Sequence, residues 1–212
     1  MLKTITSWFN FKIVALKKLN GYENINYLIT SDTTKYIFKT YAFSEDMLAL
    51  VEAENSVLQG LKKNPSFPEP IPFKTGAFLK ITKVDGIKTI CRLLSFLEGT
   101  FLGDAKHSPE LIKSIGRFAA QTDLELLHIN NYVLKARRWE WDLQYLHLNK
   151  KYIDAIEEAS DRHLVSYFFQ QYELHVTPLL SELRKSVIHN DINEWNTLIT
   201  NDSVSGLIDL VI

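Results

Sequence analysis

The chain has 212 residues, enough for one large domain or two small lobes, and 46% hydrophobic with 12% aromatic content gives it material for a core. Its 24 basic and 25 acidic side chains leave a formal charge of −1, which excludes a chain-wide electrostatic grip on nucleic acid or on an anionic membrane. One cysteine, Cys91, excludes an intramolecular disulfide and a cysteine-rich zinc cluster, and no apolar run approaches the ~20 residues that cross a bilayer, so a soluble cytoplasmic protein is expected.

The first ninety or so residues read mostly as strands. Phe11 to Leu19, Asn26 to Thr30 and Lys35 to Tyr41 are rich in β-branched, aliphatic and aromatic residues. Turn clusters at Asn20-Gly21-Tyr22-Glu23-Asn24 and Ser31-Asp32-Thr33-Thr34 separate them, which predicts an antiparallel meander. Ser44 then reads as a helix N-cap, followed by Glu45 and Asp46 where the macrodipole favours acids. Met47, Leu50, Val51, Leu58 and Leu61 share a face of that helix, and Glu54 falls on the same stripe. Pro65, Pro68, Pro70 and Pro72 predict a loop. Strand texture returns at Ala77–Lys83 and Lys88–Leu94 around Val84-Asp85-Gly86.

After Gly99 the texture becomes helical. Pro109 to Leu127, Tyr152 to Ala159 and Leu164 to Leu183 are predicted helices, the last broken near Pro178. Two short strands, Thr197–Thr200 and Val204–Leu210, close the chain around Asn201-Asp202-Ser203. A strand-rich first half and a helix-rich second half predict an α+β fold with two lobes. Lys135-Ala-Arg-Arg-Trp-Glu-Trp141 is a short basic patch with aromatics, read as a solvated helix edge with tryptophan anchors rather than a nucleic-acid site.

The densest polar cluster is Val187-Ile-His-Asn-Asp-Ile-Asn-Glu-Trp-Asn-Thr-Leu-Ile199, which puts His189, Asp191, Asn193 and Asn196 on a loop with buried ends. Asp209 is a lone acid in Gly-Leu-Ile-Asp-Leu-Val-Ile. Folding the chain about 201–203 brings Asn196 and Asp209 together at the open end of the hairpin. A carboxylate and an amide oxygen held close, with Asp191 nearby, are hard ligands of the kind Mg²⁺ accepts beside water and phosphate. Glu54, inward on an apolar stripe, needs a cationic partner, because an unpaired buried charge costs several kcal/mol.

His-x-Asp-x-x-x-x-Asn, a short hairpin and then Ile-Asp resemble the catalytic and metal-binding segments of the aminoglycoside phosphotransferase and choline kinase group, small-molecule relatives of protein kinases. The resemblance implies a protein-kinase-like two-lobed fold: a nucleotide-binding lobe over residues 1–94 with an antiparallel sheet and one helix, a hinge at 95–99, and a partial, mainly helical lobe over 100–212. It implies ATP (or GTP) and Mg²⁺, with Asp191 as catalytic base and Asn196 and Asp209 as metal ligands. Lys39, held by Glu54, would meet the nucleotide phosphates, and His189 would support the loop. Asn193 would aid the acceptor.

Further implications follow from weaker segments. Leu19-Asn-Gly-Tyr-Glu-Asn-Ile-Asn-Tyr27 stands where the phosphate-covering loop would be, with Gly21 its only glycine, and Cys91-Arg-Leu-Leu-Ser-Phe-Leu-Glu-Gly-Thr100 resembles the inter-lobe hinge. Backbone groups of Ser95 and Leu97 would there bond the adenine edge. The tyrosine-containing first turn, Arg-Leu-Leu-Ser-Phe-Leu-x-Gly and His-Asn-Asp together resemble the hydroxylysine kinase branch most. The implied partner is a small-molecule hydroxyl acceptor, an amino alcohol, and related domains are fused to pyridoxal-dependent aminotransferases. The single-glycine loop and the lack of an activation segment after Asp209 speak against a protein kinase. The family continues Ile-Asp with Phe-Gly-Asp and further helices, whereas this sequence reads Leu210-Val211-Ile212. The expectation is therefore a C-terminally truncated chain with an exposed apolar end, one that binds nucleotide weakly and turns over poorly.

Overall fold

Turn chemistry organises the first third of the chain. The computed structural model describes residues 5–19 and 24–210, and within them β1 (Ile13–Leu19), β2 (Ile25–Ser31) and β3 (Lys35–Ala42) form the expected antiparallel meander. Ser31 closes the second turn. Its Oγ accepts from the N–H groups of Thr33 at 3.2 Å and Thr34 at 2.9 Å. α1 (Glu45–Gly60) starts where Ser44 Oγ accepts from the Met47 N–H at 3.0 Å, satisfying one of the donors a helix start leaves unpaired. Its inner face buries Val51, Glu54, Val57 and Leu58.

The proline-rich stretch is more than a loop. Pro70–Ile71 forms β4, which pairs with Leu94 and Leu93 at the edge of β6 (Ile87–Ser95). An edge position is where a residue lacking an N–H can join a sheet. β5 (Leu79–Val84) meets β6 through Asp85 and Gly86, both at positive φ (49° and 82°), the geometry that matches a two-residue hairpin to the strands' twist. The six-stranded sheet runs β1-β2-β3-β6-β4, with β5 also on β6.

A second, three-stranded sheet joins β7 (Thr100–Phe101), β8 (Thr197–Thr200) and β9 (Ser203–Leu207). Asn201 and Asp202, again at positive φ, turn β8 into β9. α2 (Pro109–Leu126) is capped by Ser108, buries Leu111, Thr122 and Leu126, and is tied to β9 by the Val204 N–H donating to Ser114 Oγ at 3.1 Å. One apolar cluster spans both halves, packing Val57, Leu58, Leu61 and Leu94 with Leu126, Val187, Leu207 and Leu210. Leu210 is thus buried, contrary to the exposed end the sequence suggests; Val211 and Ile212 lie outside the described residues.

Between α2 and the loop from His189 to Asn196 the helical expectations shift. A short α3 (Tyr132–Ala136), capped by Asn131, precedes a 3₁₀ run over Leu143–Ala155, and α4 occupies Ala159–His175. The predicted helix Tyr152–Ala159 breaks at residues 156–158. There Arg162 Nη1 donates to the carbonyls of Ile156 (2.5 Å) and Glu157 (2.7 Å), pairing acceptors that a continued helix would have used. The predicted Leu164–Leu183 helix instead begins at Ala159 and stops at His175, and Pro178 lies in a separate 3₁₀ turn, Thr177–Leu179. α4 buries none of its residues, and Leu164, Tyr167, Phe168 and Leu174 are exposed. Among the described residues no helix is long and apolar enough to cross a membrane.

Candidate active site

The loop from His189 to Asn196 is built by its own side chains. Asn190 takes positive φ (63°), and Asn193 Oδ1 accepts the N–H groups of Trp195 (2.8 Å) and Asn196 (2.9 Å), folding the loop back on itself. Both carboxylate oxygens of Asp191 are held: Oδ1 accepts from Asn193 Nδ2 at 2.9 Å, and Oδ2 from Asn196 Nδ2 at 2.7 Å. The same Nδ2 reaches the Asp191 carbonyl at 3.0 Å. Asn193 therefore orders the loop and fixes Asp191.

His189 ties this loop to the segment carrying Asp209. Its Nδ1 accepts from the Asp191 N–H at 3.3 Å, so Nε2 carries the proton and donates to the Ile208 carbonyl at 3.1 Å. Burial lowers its pKa to about 4, which keeps the ring neutral at physiological pH and fits a supporting role rather than proton transfer. Asn196 and Asp209 meet at the open end of the β8–β9 hairpin as expected, with the Ile208 N–H donating to the Asn196 carbonyl at 2.9 Å. Asp209 itself has positive φ (55°).

The opposite wall comes from the large sheet. Asn26, Lys39 and Arg92 are direct cross-strand neighbours on β2, β3 and β6, and residues paired this way project from one face. All three are buried and line the cleft. Lys39 Nζ bonds Asp209, not Glu54. Glu54 is taken by Arg92, whose Nη2 donates to Oε2 at 2.7 Å while Nη1 reaches Asn55 Oδ1 at 3.2 Å. The expected Lys39–Glu54 pair is corrected for a geometric reason: a guanidinium fork can grip two neighbouring acceptors on α1 at once, which an ammonium cannot match. Arg92 is the participant missed from sequence, where its only signal was a cation between the apolar residues Cys91 and Leu93.

Charge states follow from these contacts. Burial opposes the charge of Lys39, but Tyr41 and Asp209 outweigh it and its pKa is raised. Burial also works against the Asp209 carboxylate, yet Lys39 outweighs it and the pKa is lowered. For Arg92 burial is again overcome, by Tyr41 and Glu54, and the net direction is upward. Tyr41, fully enclosed, is raised chiefly by burial. Lys39 with Asp209 and Arg92 with Glu54 thus form two ion pairs lining the cleft.

The cleft encloses about 560 Å³. Lys39, Glu54, Asp191, Asn193, Asn196 and Asp209 all line it, so the structure brings these residues singled out from sequence together. Ser95 and Leu97 do not line it. The Ser95 N–H is already committed to the Glu69 carbonyl at 2.9 Å, and Leu97 packs near Gly206. Gly21 lies outside the described residues. A third wall was read differently from sequence. Arg137, Trp139 and Trp141 also line the cleft, from the non-helical segment after α3 rather than a solvated helix edge.

The donor set suits a divalent cation shared with phosphate. Among the described residues no group of three His, Cys, Asp or Glu is placed to hold a metal ion. Mg²⁺ commonly takes one or two carboxylates and completes its shell with phosphate and water. Asn196 Nδ2 is committed to Asp191, which leaves Oδ1 for a cation, and the Asp209 side chain is 40% exposed beside it. In the cleft wall, Oδ1 of Asn24 and of Asn26 are buried with no hydrogen-bond partner among the described residues. Such groups cost about 1–3 kcal/mol each unless water or a ligand meets them, and a half-turn of either amide presents Nδ2 to a phosphate.

Residues 16–211 match the family described as the phosphotransferase enzyme family. Hydroxylysine kinase of Xenopus laevis is 31% identical over 225 residues, covering 98% of this chain and 60% of that protein. Hydroxylysine kinase of Mus musculus is 26% identical, covering 95% and 58%. The chain thus spans about 60% of the length of these relatives. Among solved structures, a microcompartment-associated aminopropanol kinase superposes with a TM-score of 0.75 at 16% identity, over 99% of this chain and 67% of that one. An amicoumacin kinase in complex with AMP-PNP and Ca²⁺ gives 0.71 at 16% identity, over 99% and 62%. These likenesses show the kinase-like fold.

Proposed function

The chain belongs to the phosphotransferase enzyme family, and from that premise we propose that it moves the γ-phosphoryl group of ATP onto the hydroxyl of a small molecule, with a hydroxylysine-like amino alcohol as acceptor. The observation that carries this reading is the convergence of Lys39, Asp191, Asn196 and Asp209, distant in sequence, on one cleft. Phosphoryl transfer asks a protein mainly for positioning and charge stabilisation, and this cleft supplies fixed groups for both.

Asp191 is the group that takes or orients the acceptor's hydroxyl proton, and its two amide partners fix the carboxylate for that task. Lys39 neutralises phosphate charge from the sheet side. Asn196 Oδ1 and Asp209 would hold Mg²⁺, which when bound spreads the charge of the triphosphate. The amino alcohol acceptor is supported by the hydroxylysine kinase relatives and by the aminopropanol kinase fold neighbour.

A second reading keeps the same nucleotide site without turnover. It is favoured by the solvent-exposed apolar face of α4, which leaves that side of the helical half uncovered. Calorimetric titration with Mg·AMP-PNP, followed by a phosphoryl-transfer assay with hydroxylysine, separates the two. The proposal expects K39M and D209N each to weaken nucleotide binding at least tenfold. It expects D191N to bind normally but lose about 10²–10⁴-fold in turnover. Unchanged nucleotide affinity in both K39M and D209N would refute the assigned site, and wild-type binding without any transfer would favour the second reading.

A further inference from the structure

The segment Arg137–Trp141 carries a pattern the nucleotide chemistry does not use. Trp139 and Trp141 stand 6.3 Å apart, ring to ring, at an interplanar angle of 42°, and both line the cleft that holds Asp191. Trp141 is 70% exposed. An indole left bare in a cleft wall forfeits the burial that a tryptophan ordinarily gains in a core, and its flat face is then free to meet a ligand.

The turn between them is held from behind. The intervening Glu140 receives Lys151 Nζ at 2.5 Å and the Tyr152 hydroxyl at 3.1 Å, while Asn149 Nδ2 donates to its carbonyl at 2.6 Å. Asp142 then caps the 3₁₀ run, accepting from the Gln144 N–H at 2.9 Å. Arg137 stacks its guanidinium 4.2 Å from the Trp139 ring centroid. Anchoring of this kind limits the entropy lost when the indoles meet a ligand.

Resting on the phosphotransferase reading, we propose that Trp139 and Trp141 form the wall that recognises the acceptor, and that they select a hydroxyl compound carrying a protonated amine. An ammonium is attracted to the face of an indole, and the methylene stem of an amino alcohol packs on the same surface. The charge pattern agrees. Arg92 is committed to Glu54, Lys39 to Asp209, and Arg137 already lies over the Trp139 ring, so the exposed face of Trp141 and the Asp191 carboxylate are what the cleft offers a cation. Trp139 and Trp141 are positioning and selecting residues, and neither touches the phosphoryl group.

The test is calorimetric titration of the 212-residue chain with 5-hydroxylysine and with its Nε-acetyl form, which keeps the hydroxyl and stem but loses the charge next to it. Wild type is expected to bind the free amine at least tenfold more tightly than the acetylated form. W139A and W141A should each erase most of that preference, and W139F and W141F should retain part of it, because a phenyl face still attracts a cation. Mg·AMP-PNP affinity should stay within twofold in all four variants, which separates this proposal from the nucleotide site probed by K39M and D209N. Equal affinity for the free and acetylated compounds, no hydroxylysine uptake by wild type, or a preference undiminished in W139A and W141A would each overturn it.

Discussion

The exchange of partners between Lys39 and Arg92 can be measured as a double-mutant cycle. Arg92 and Glu54 have side chains only 5% and 12% exposed, so removing one strands the other as a buried charge. Stranding either partner of a buried ion pair costs about 3–5 kcal/mol. For a chain of this length that lowers the melting temperature by roughly 6–20 °C. R92M, E54Q and the double variant, unfolded in urea, should give a coupling energy above about 2 kcal/mol between the two sites. K39M should cost less, about 1 kcal/mol, because Asp209 is 40% exposed and water can replace the ammonium. The K39M–E54Q cycle should close to within about 0.5 kcal/mol. Equal coupling of Glu54 to Lys39 and to Arg92 would refute the pairing, and with it the inference that Lys39 is tied to the metal-side acid.

Two further outcomes follow from the loop around Asp191. His189 has a folded pKa of about 4 against an ordinary value of 6.5, so the unfolded chain binds the proton more readily; its contribution to stability is intact above pH 6.5 and declines as pH falls toward 4. Between pH 7 and pH 5 that loss is about 2 kcal/mol, and urea unfolding of H189Q beside wild type should show this part of the pH dependence disappear. A methyl group at Gly103 would sit 2.9 Å from the Trp195 ring. G103A should push the exposed indole outward at a cost of about 1 kcal/mol and shift its fluorescence, while the Trp195 backbone stays on Asn193 Oδ1.

Where the physics is local, the sequence was readable. Alternating apolar residues and the clusters at Ser31–Thr34, Asp85–Gly86 and Asn201–Asp202 set the strands and hairpins, and hairpin geometry alone places Asn196 beside the Asp209 segment. Ser44 marks the start of α1 because a cap depends only on residues within one turn. Partner choice was not local. Which of two cations takes Glu54 depends on the register of β3 against β6, and nothing in Tyr-Ile-Phe-Lys-Thr-Tyr reports that Lys39 sits opposite Arg92. The same holds for Lys135–Trp141, whose periodicity suits a helix edge but whose path is set by contacts from Asn149, Lys151 and Tyr152 about ten residues on. The Ser95 N–H is taken by the Glu69 carbonyl, brought in by the short strand Pro70–Ile71, a pairing between distant segments that the local sequence does not report.

The site's rigidity comes from links that cross between the two halves of the chain. Val57, Leu58, Leu61 and Leu94 share their cluster with Leu126, Val187, Leu207 and Leu210, so the apolar floor under the catalytic loop is the same core that seats α1. Above that floor Lys39 and Asp209 bridge the cleft, a contact that a nucleotide's phosphates and cation would have to rearrange. Arg92 and Glu54 stay on the sheet side and need not move. The arrangement assigns separate duties to two neighbouring cations: Arg92 fixes α1 against the sheet through Glu54 and Asn55, and Lys39 reaches across to Asp209 after the β8–β9 hairpin, where on the proposed reading one ionic partner would exchange for another without disturbing the packing beneath it.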